Sequence, residues 1–172
     1  MPLAIDATVG GASANSFATV AEADTYLSYR LNSAAWTGAD PKMQALVEAT
    51  HELCAVNAWL GYRVTDTQAL AFPRDEVENP DDPTPGTYYL TTIIPQRIKD
   101  ATCELALEFL RAGTTDIAGE DPTAAVVREV TDVLETDWQP GQRPAGLARY
   151  PRVWALIAPL LSACAGQVRL IR

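Results

Sequence analysis

Apolar residues recur at three- and four-residue steps in four stretches of the chain, and each stretch predicts a helix. In the first, Val20, Ala23, Leu27 and Leu31 share a face, with Tyr26 and Arg30 alongside. Thr19 and Glu22 stand at its start in capping-box spacing, the hydroxyl accepting from a backbone N–H while the carboxylate reaches back. The pattern fades near Asn32-Ser33. In the second, Asp40-Pro41 reads as an N-cap followed by the first helical residue. Met43, Leu46, Val47, Thr50, Leu53, Cys54 and Asn57 carry that helix to about Leu60, with Gly61 as its C-terminal cap. The third opens at Ile94-Pro95, places Ile98, Ala101, Thr102, Leu105 and Phe109 in a buried stripe, and stops at Gly113. The fourth opens at Tyr150-Pro151 and holds Val153, Trp154, Ile157, Leu160, Leu161 and Cys164 on one side. Pro159 falls inside it and is expected to kink or shorten it.

The intervening stretches read differently. Residues 1–18 are small and irregular around Gly10-Gly11, which predicts a flexible arm and not a packed element. Residues 62–94 are rich in Pro, Asp and Thr and predict an exposed loop. Its acidic part, 75–86, contains Asp75, Glu76, Glu78, Asp81 and Asp82 with three prolines. From Ala125 to Trp138, Val126, Val127, Val130, Val133 and Leu134 alternate with charged groups, which predicts a short β-hairpin with an amphipathic helix as the alternative. Gln139–Gly146 is a Pro/Gly linker. The expected fold is mainly α: a small bundle of about four helices, a short hairpin, and extended terminal arms. The domain is expected over 19–165, between the arm 1–18 and a C-terminal arm 166–172.

Composition narrows the function. The chain has 172 residues, 48% of them hydrophobic, enough for a core without disulfides. Its net charge of −9 argues against a protein that coats nucleic acid over its whole surface. The charge is also uneven. Residues 139–172 hold Arg143, Arg149, Arg152, Arg169 and Arg172 and no acid, a local charge of +5, which leaves −14 on residues 1–138. An acidic body with a basic tail suits contact with a complementary surface, such as another copy. Cys54, Cys103 and Cys164 are odd in number and widely spaced, as expected of reduced core residues in a cytosolic protein. No secretory leader is expected, and the longest apolar run, Val153–Leu161, is too short to cross a bilayer.

Chemistry-bearing motifs fail one by one. His51-Glu52 lacks the second His one turn on that a zinc-protease helix needs, since Ala55 stands there. Gly10-Gly11-Ala12-Ser13 has no lysine to make a phosphate loop. Asp75-Glu76-Val77-Glu78 places Val77 where a calcium loop needs an oxygen. His51 is the only imidazole base that any Ser or Cys nucleophile could use. No enzyme activity, metal or cofactor is therefore expected. Trp59-Leu60-Gly61-Tyr62-Arg63 and Phe72-Pro73-Arg74 come nearest to the basic-aromatic platforms that bind single strands. Both adjoin the acidic loop, and core packing is the preferred reading for Trp59 and Phe72. Arg63 and Arg74 are open to pairing with local acids or to an interface role.

An ordered set of short segments carries a family resemblance. It runs from Asn15-Ser16-Phe17-Ala18-Thr19 and Glu22-Ala23-Asp24 through Ala35-Trp36 and Trp59-Leu60-Gly61-Tyr62-Arg63 to Gln68-Ala69-Leu70-Ala71-Phe72-Pro73-Arg74. It continues with Ile94-Pro95, Ile98-Lys99-Asp100-Ala101, Tyr150-Pro151 and Pro159-Leu160-Leu161. The chain resembles the tailed-phage head-tail connector (adaptor) proteins, which often carry the label DnaT-like ssDNA-binding. The resemblance covers about residues 13–162. Two departures stand out: the long acidic insert 75–86, and Thr131-Asp132 where relatives have a Gly-Pro turn.

The resemblance implies a structural virion protein of the neck, made in the host cytoplasm. Its copies would form a ring, commonly twelvefold, under the portal protein. The ring would extend the channel for the passing double-stranded genome, without sequence recognition, and dock the next neck or tail protein; no membrane is involved. On that reading Arg149, Arg152, Arg169, Leu170, Ile171 and Arg172 are candidates for the portal or subunit interface, because guanidinium forks pair well with carboxylates. Asp75, Glu76, Glu78, Asp81 and Asp82 are candidates for a channel lining that repels phosphate. The alternative is a single-stranded DNA-binding replication accessory protein.

Overall fold

The structure is a computed structural model that describes residues 4–113, 128–131, 134–137 and 146–162. In it α1 (Val20–Ser28), α2 (Ala39–Cys54), α3 (Gln96–Ala112) and α4 (Pro151–Ile157) form a mainly helical bundle. Strands β1 (Tyr62–Arg63) and β2 (Arg74–Asp75) make a minimal antiparallel ladder, and β3 (Arg128–Thr131) with β4 (Leu134–Asp137) make a second. The second is the expected hairpin, in the register Arg128 to Asp137 and Thr131 to Leu134.

Helix α3 is the centre. It packs on α2, on α4 and on α1. Its predicted stripe of Ile98, Ala101, Thr102, Leu105 and Phe109 is buried. Cys103, Glu104, Ala106 and Leu107 are buried too, because elements cover it on several sides. Gly113 ends it in the left-handed conformation at φ 67°, which costs glycine little. Each large side chain removed from water here contributes about 1.5–3 kcal/mol.

The Thr19–Glu22 capping box forms as expected. Helix α1 then stops at Ser28, well before Asn32, so Leu31 leaves the predicted stripe and stands in solvent. Helix α2 begins at Ala39 after Gly38, whose φ is 75°. The Asp40-Pro41 start signal therefore lies inside the first turn, where a missing proline N–H loses no helical bond. The helix also ends at Cys54 and not near Leu60. Residues 58–60 instead pair in extended form with the end of the fourth element: Leu60 N–H donates to Leu160 O at 3.0 Å and Ser162 N–H to Ala58 O at 2.7 Å. Gly61 is consequently not a helix cap. A Cβ there would lie 1.9 Å from the carbonyl oxygen of Asp75, so only glycine admits that close approach. Pro159 shortens α4 into a 3-10 turn, Ala158–Leu160, as predicted.

The lead-in before α1 is packed where a loose arm is the sequence expectation. Phe17 and Ala18 are in the core, and Phe17 N–H donates to the buried Thr50 hydroxyl at 3.2 Å. Phe72 meets Phe17 edge-on at 6.1 Å and Trp59 at 5.1 Å, which settles Trp59 and Phe72 as core aromatics. Phe72-Pro73 is a cis peptide. Asp24 joins α1 to α2, accepting from Trp36 Nε1 at 2.7 Å and from Lys42 Nζ at 2.8 Å.

Candidate functional site

The acidic segment is folded more tightly than its composition suggests. Asp75 belongs to β2, opposite Tyr62. Glu76 takes a left-handed φ of 55° and accepts from the Tyr62 hydroxyl. Val77, between two acids, is buried at 1% exposure and anchors the segment to the core. From there the chain makes a hairpin-like excursion, closed by Asn79 N–H to Thr87 O at 2.7 Å and Tyr89 N–H to Val77 O at 2.9 Å. Glu78 accepts from Gly86 N–H, and Asp82 from Thr84 N–H at 2.8 Å. Asp81 pairs with Arg97 on α3, with two hydrogen bonds from the guanidinium. That pairing holds its carboxyl below the usual carboxylate range. The five acids therefore do local work, as turn acceptors and as a tether to α3. Glu76, Glu78 and Asp81 remain at the surface.

The basic candidates separate. Arg149 lies in a 3-10 turn, Gly146–Arg149, and is exposed. Arg152 is exposed at the start of α4, with its guanidinium 4.0 Å from the Glu104 carboxylate. Arg169, Leu170, Ile171 and Arg172 lie outside the described residues, as do Cys164 and Arg143.

Glu104 is the centre of a polar cluster that sequence reasoning missed. Its side chain is 4% exposed. Tyr26 Oη donates to Oε1 at 2.9 Å, and Arg30 Nη2 to Oε2 at 3.1 Å. Arg30 Nε comes within 2.7 Å of Oε1 but off the N–H direction, so that contact is electrostatic and the Nε–H has no directed partner. Burial, then the Glu104 hydrogen bond, push the Tyr26 phenol well above its ordinary pKa. Beside it, Asp100 is raised by burial, opposed by a hydrogen bond from Gln96 and reinforced by Glu104. The available signal was the four-residue spacing of Tyr26, on α1, and Arg30, two residues past its end, facing an acid inside an apolar stripe. An open groove of about 680 Å³ runs along this edge, lined by Thr25, Tyr26, Tyr29, Arg30 and Gln96. Tyr29, which lines it, is 85% exposed, and Leu31, two residues on, is 86% exposed.

Elsewhere the chemistry is sparse. His51 is exposed in the last turn of α2. Among the described residues no group of His, Cys, Asp and Glu could hold a metal ion, and no helix is long and apolar enough to cross a membrane. Cys54 and Cys103 are free thiols, and burial pushes Cys103 up to about 12. Arg63 and Arg74 make no ion pair with an acid among the described residues. Arg74 donates to backbone carbonyls, to Leu60 O from Nε at 2.8 Å and to Gly61 O and Ala71 O from its two terminal nitrogens.

No curated protein and no solved structure matches the chain. A family model described as "Putative DnaT-like ssDNA binding protein" matches residues 1–172. The chain belongs to that family.

Proposed function

We propose that the protein is a structural subunit of a phage virion, a head-tail connector that assembles as a ring under the portal and docks the next neck or tail component. The observation that supports this best is how the body uses its positive charge. Arg30, Lys42, Arg97, Lys99 and Arg111 each pair with a carboxylate of their own chain, and Arg74 is engaged by carbonyls. With a net charge of −9 and these cations engaged, the described surface disfavours a long run of phosphates and offers no continuous basic track for a strand among the described residues. A subunit around passing duplex DNA needs such a surface. Apolar side chains left in water at Tyr29, Leu31, Tyr88 and Leu90 supply contact area for neighbouring subunits. Arg149 and Arg152, together with the C-terminal arginines, provide the complementary charge for a head-to-tail ring contact.

The family description favours a second reading, single-stranded DNA binding in replication. One comparison separates the two. The purified full chain is examined by negative-stain electron microscopy with and without portal protein, and titrated in parallel with a single-stranded oligonucleotide while tryptophan fluorescence is followed. Ring particles, or stable addition to portal rings, are the expected result. Salt-sensitive quenching by the oligonucleotide without any assembly overturns the connector reading in favour of the second.

A further inference from the structure

Arg63 and Arg74 are direct cross-strand partners in the β1–β2 ladder. Like charges opposite each other on antiparallel strands work against the pairing. Side chains alternate across a strand, so this pair shares one face, while Tyr62 and Asp75 take the other. Both arginines line a cavity of about 250 Å³, together with Cys54, Asn57 and Trp59. No carboxylate is among the described residues that line it. Three of the Arg74 N–H groups are committed to the carbonyls of Leu60, Gly61 and Ala71, which holds the guanidinium in place and leaves two of its five donors without a partner among the described residues. In a chain of net charge −9, two guanidiniums facing one polar pocket with no acid between them is an arrangement that lacks its anion.

We propose that this cavity is a binding site for a phosphate-class oxyanion, gripped between Arg63 and Arg74 with the Asn57 amide as a third donor. Guanidinium forks match tetrahedral oxyanions through paired N–H bonds. The bound charge removes the repulsion that the ladder otherwise carries. Arg74 is the fixed wall, and Arg63, exposed on β1, is the adjustable one. Proximity of the two cations, together with burial, also lowers the Arg74 pKa, burial acting first. The site does not depend on the connector reading, because it concerns one pocket and not a surface.

The test uses the full chain in chloride buffer and in inorganic phosphate at matched ionic strength, read by thermal unfolding and by the phosphorus-31 line of the added phosphate. Wild type is expected to show a saturable rise in Tm and a broadened phosphorus line. Arg63→Gln is expected to lose both, while its Tm in chloride equals or exceeds that of wild type. Arg63→Lys keeps the charge without the fork and is expected to weaken the response by about tenfold in apparent Kd. A short single-stranded oligonucleotide forms a second arm. Displacement of inorganic phosphate by it identifies a phosphodiester as the source, and failure to displace identifies a free phosphate. A phosphate response that does not saturate, or one that persists in Arg63→Gln, overturns the proposal, as does an unbroadened phosphorus line with wild type.

Discussion

Arg30, two residues past the end of α1, reaches Glu104 in the middle of α3, where its Nη2 donates at 3.1 Å to a carboxylate that is almost fully enclosed. Tyr26, one turn earlier, donates to the same carboxylate. The pairing ties a short helix, which would be marginal alone, to the centre of the bundle. Removing one partner of a buried pair leaves the other without its counter-charge. Glu104→Gln is therefore expected to cost about 2–4 kcal/mol, below the fully buried value because the Arg30 side chain is 23% exposed. Urea unfolding measures it. Arg30→Leu combined with Glu104→Leu should recover most of that loss, and equal losses in the single and double variants would contradict the account.

Asp100 has the opposite character. Burial raises its carboxyl pKa, with Glu104 adding to the effect and Gln96 opposing it. A carboxyl whose folded pKa is raised weakens the fold when ionised and ceases to do so when protonated. Asp100→Asn should therefore stabilise the protein at neutral pH, by a small amount because solvent reaches the carboxyl and screens it. The gain should shrink as pH falls through the raised pKa and vanish below the ordinary carboxylate value. Chemical unfolding of both proteins across pH 3–7 checks the crossover; a gain independent of pH would contradict it.

Gly61 stands where a Cβ would meet the Asp75 carbonyl oxygen at 1.9 Å, with φ at 65°. Gly61→Ala adds both a backbone clash and conformational strain. The expected loss is about 3 kcal/mol by the usual cost of such strained sites. Gly113→Ala is the comparison, because nothing lies within 4 Å of a Cβ there. Its loss should be clearly smaller in the same thermal unfolding experiment.

Arg97 tethers the acidic excursion to α3 through Asp81. The pair is at the surface, so its rupture should leave the global unfolding midpoint nearly unchanged. Arg97→Ala is instead expected to speed amide hydrogen exchange across residues 78–89, since local opening is governed by local contacts. Unchanged exchange there would show that Val77 and the Glu78–Tyr88 bridge hold the excursion without the tether.

The helices were legible because their signals are local. Thr19 with Glu22, Gly113 after Phe109, and Tyr150-Pro151 before Val153 each act within one turn, so their spacing alone places α1, α3 and α4. Alternation likewise identified the β3–β4 hairpin. Where α2 stops was not legible. Helical spacing continues past Cys54, but residues 58–60 find extended partners about a hundred residues away, at 160–162. Only the folded chain brings that competitor into reach. Phe17 looked like part of a loose arm because its partners, Thr50 and Phe72, are distant in sequence.

The same division holds for charge and function. The sequence by itself determined the acidic balance, the arginine-rich C-terminal stretch and the lack of a metal or nucleophile motif, because these depend on residue identity alone. Only the tertiary structure decided which charges are engaged. It buried Glu104 between Tyr26 and Arg30, made the loop acids local acceptors, and set Arg63 opposite Arg74 beside a cavity with no carboxylate among its described lining residues. A charge acquires its role from what lies within a few ångströms, and chain separation does not report that distance.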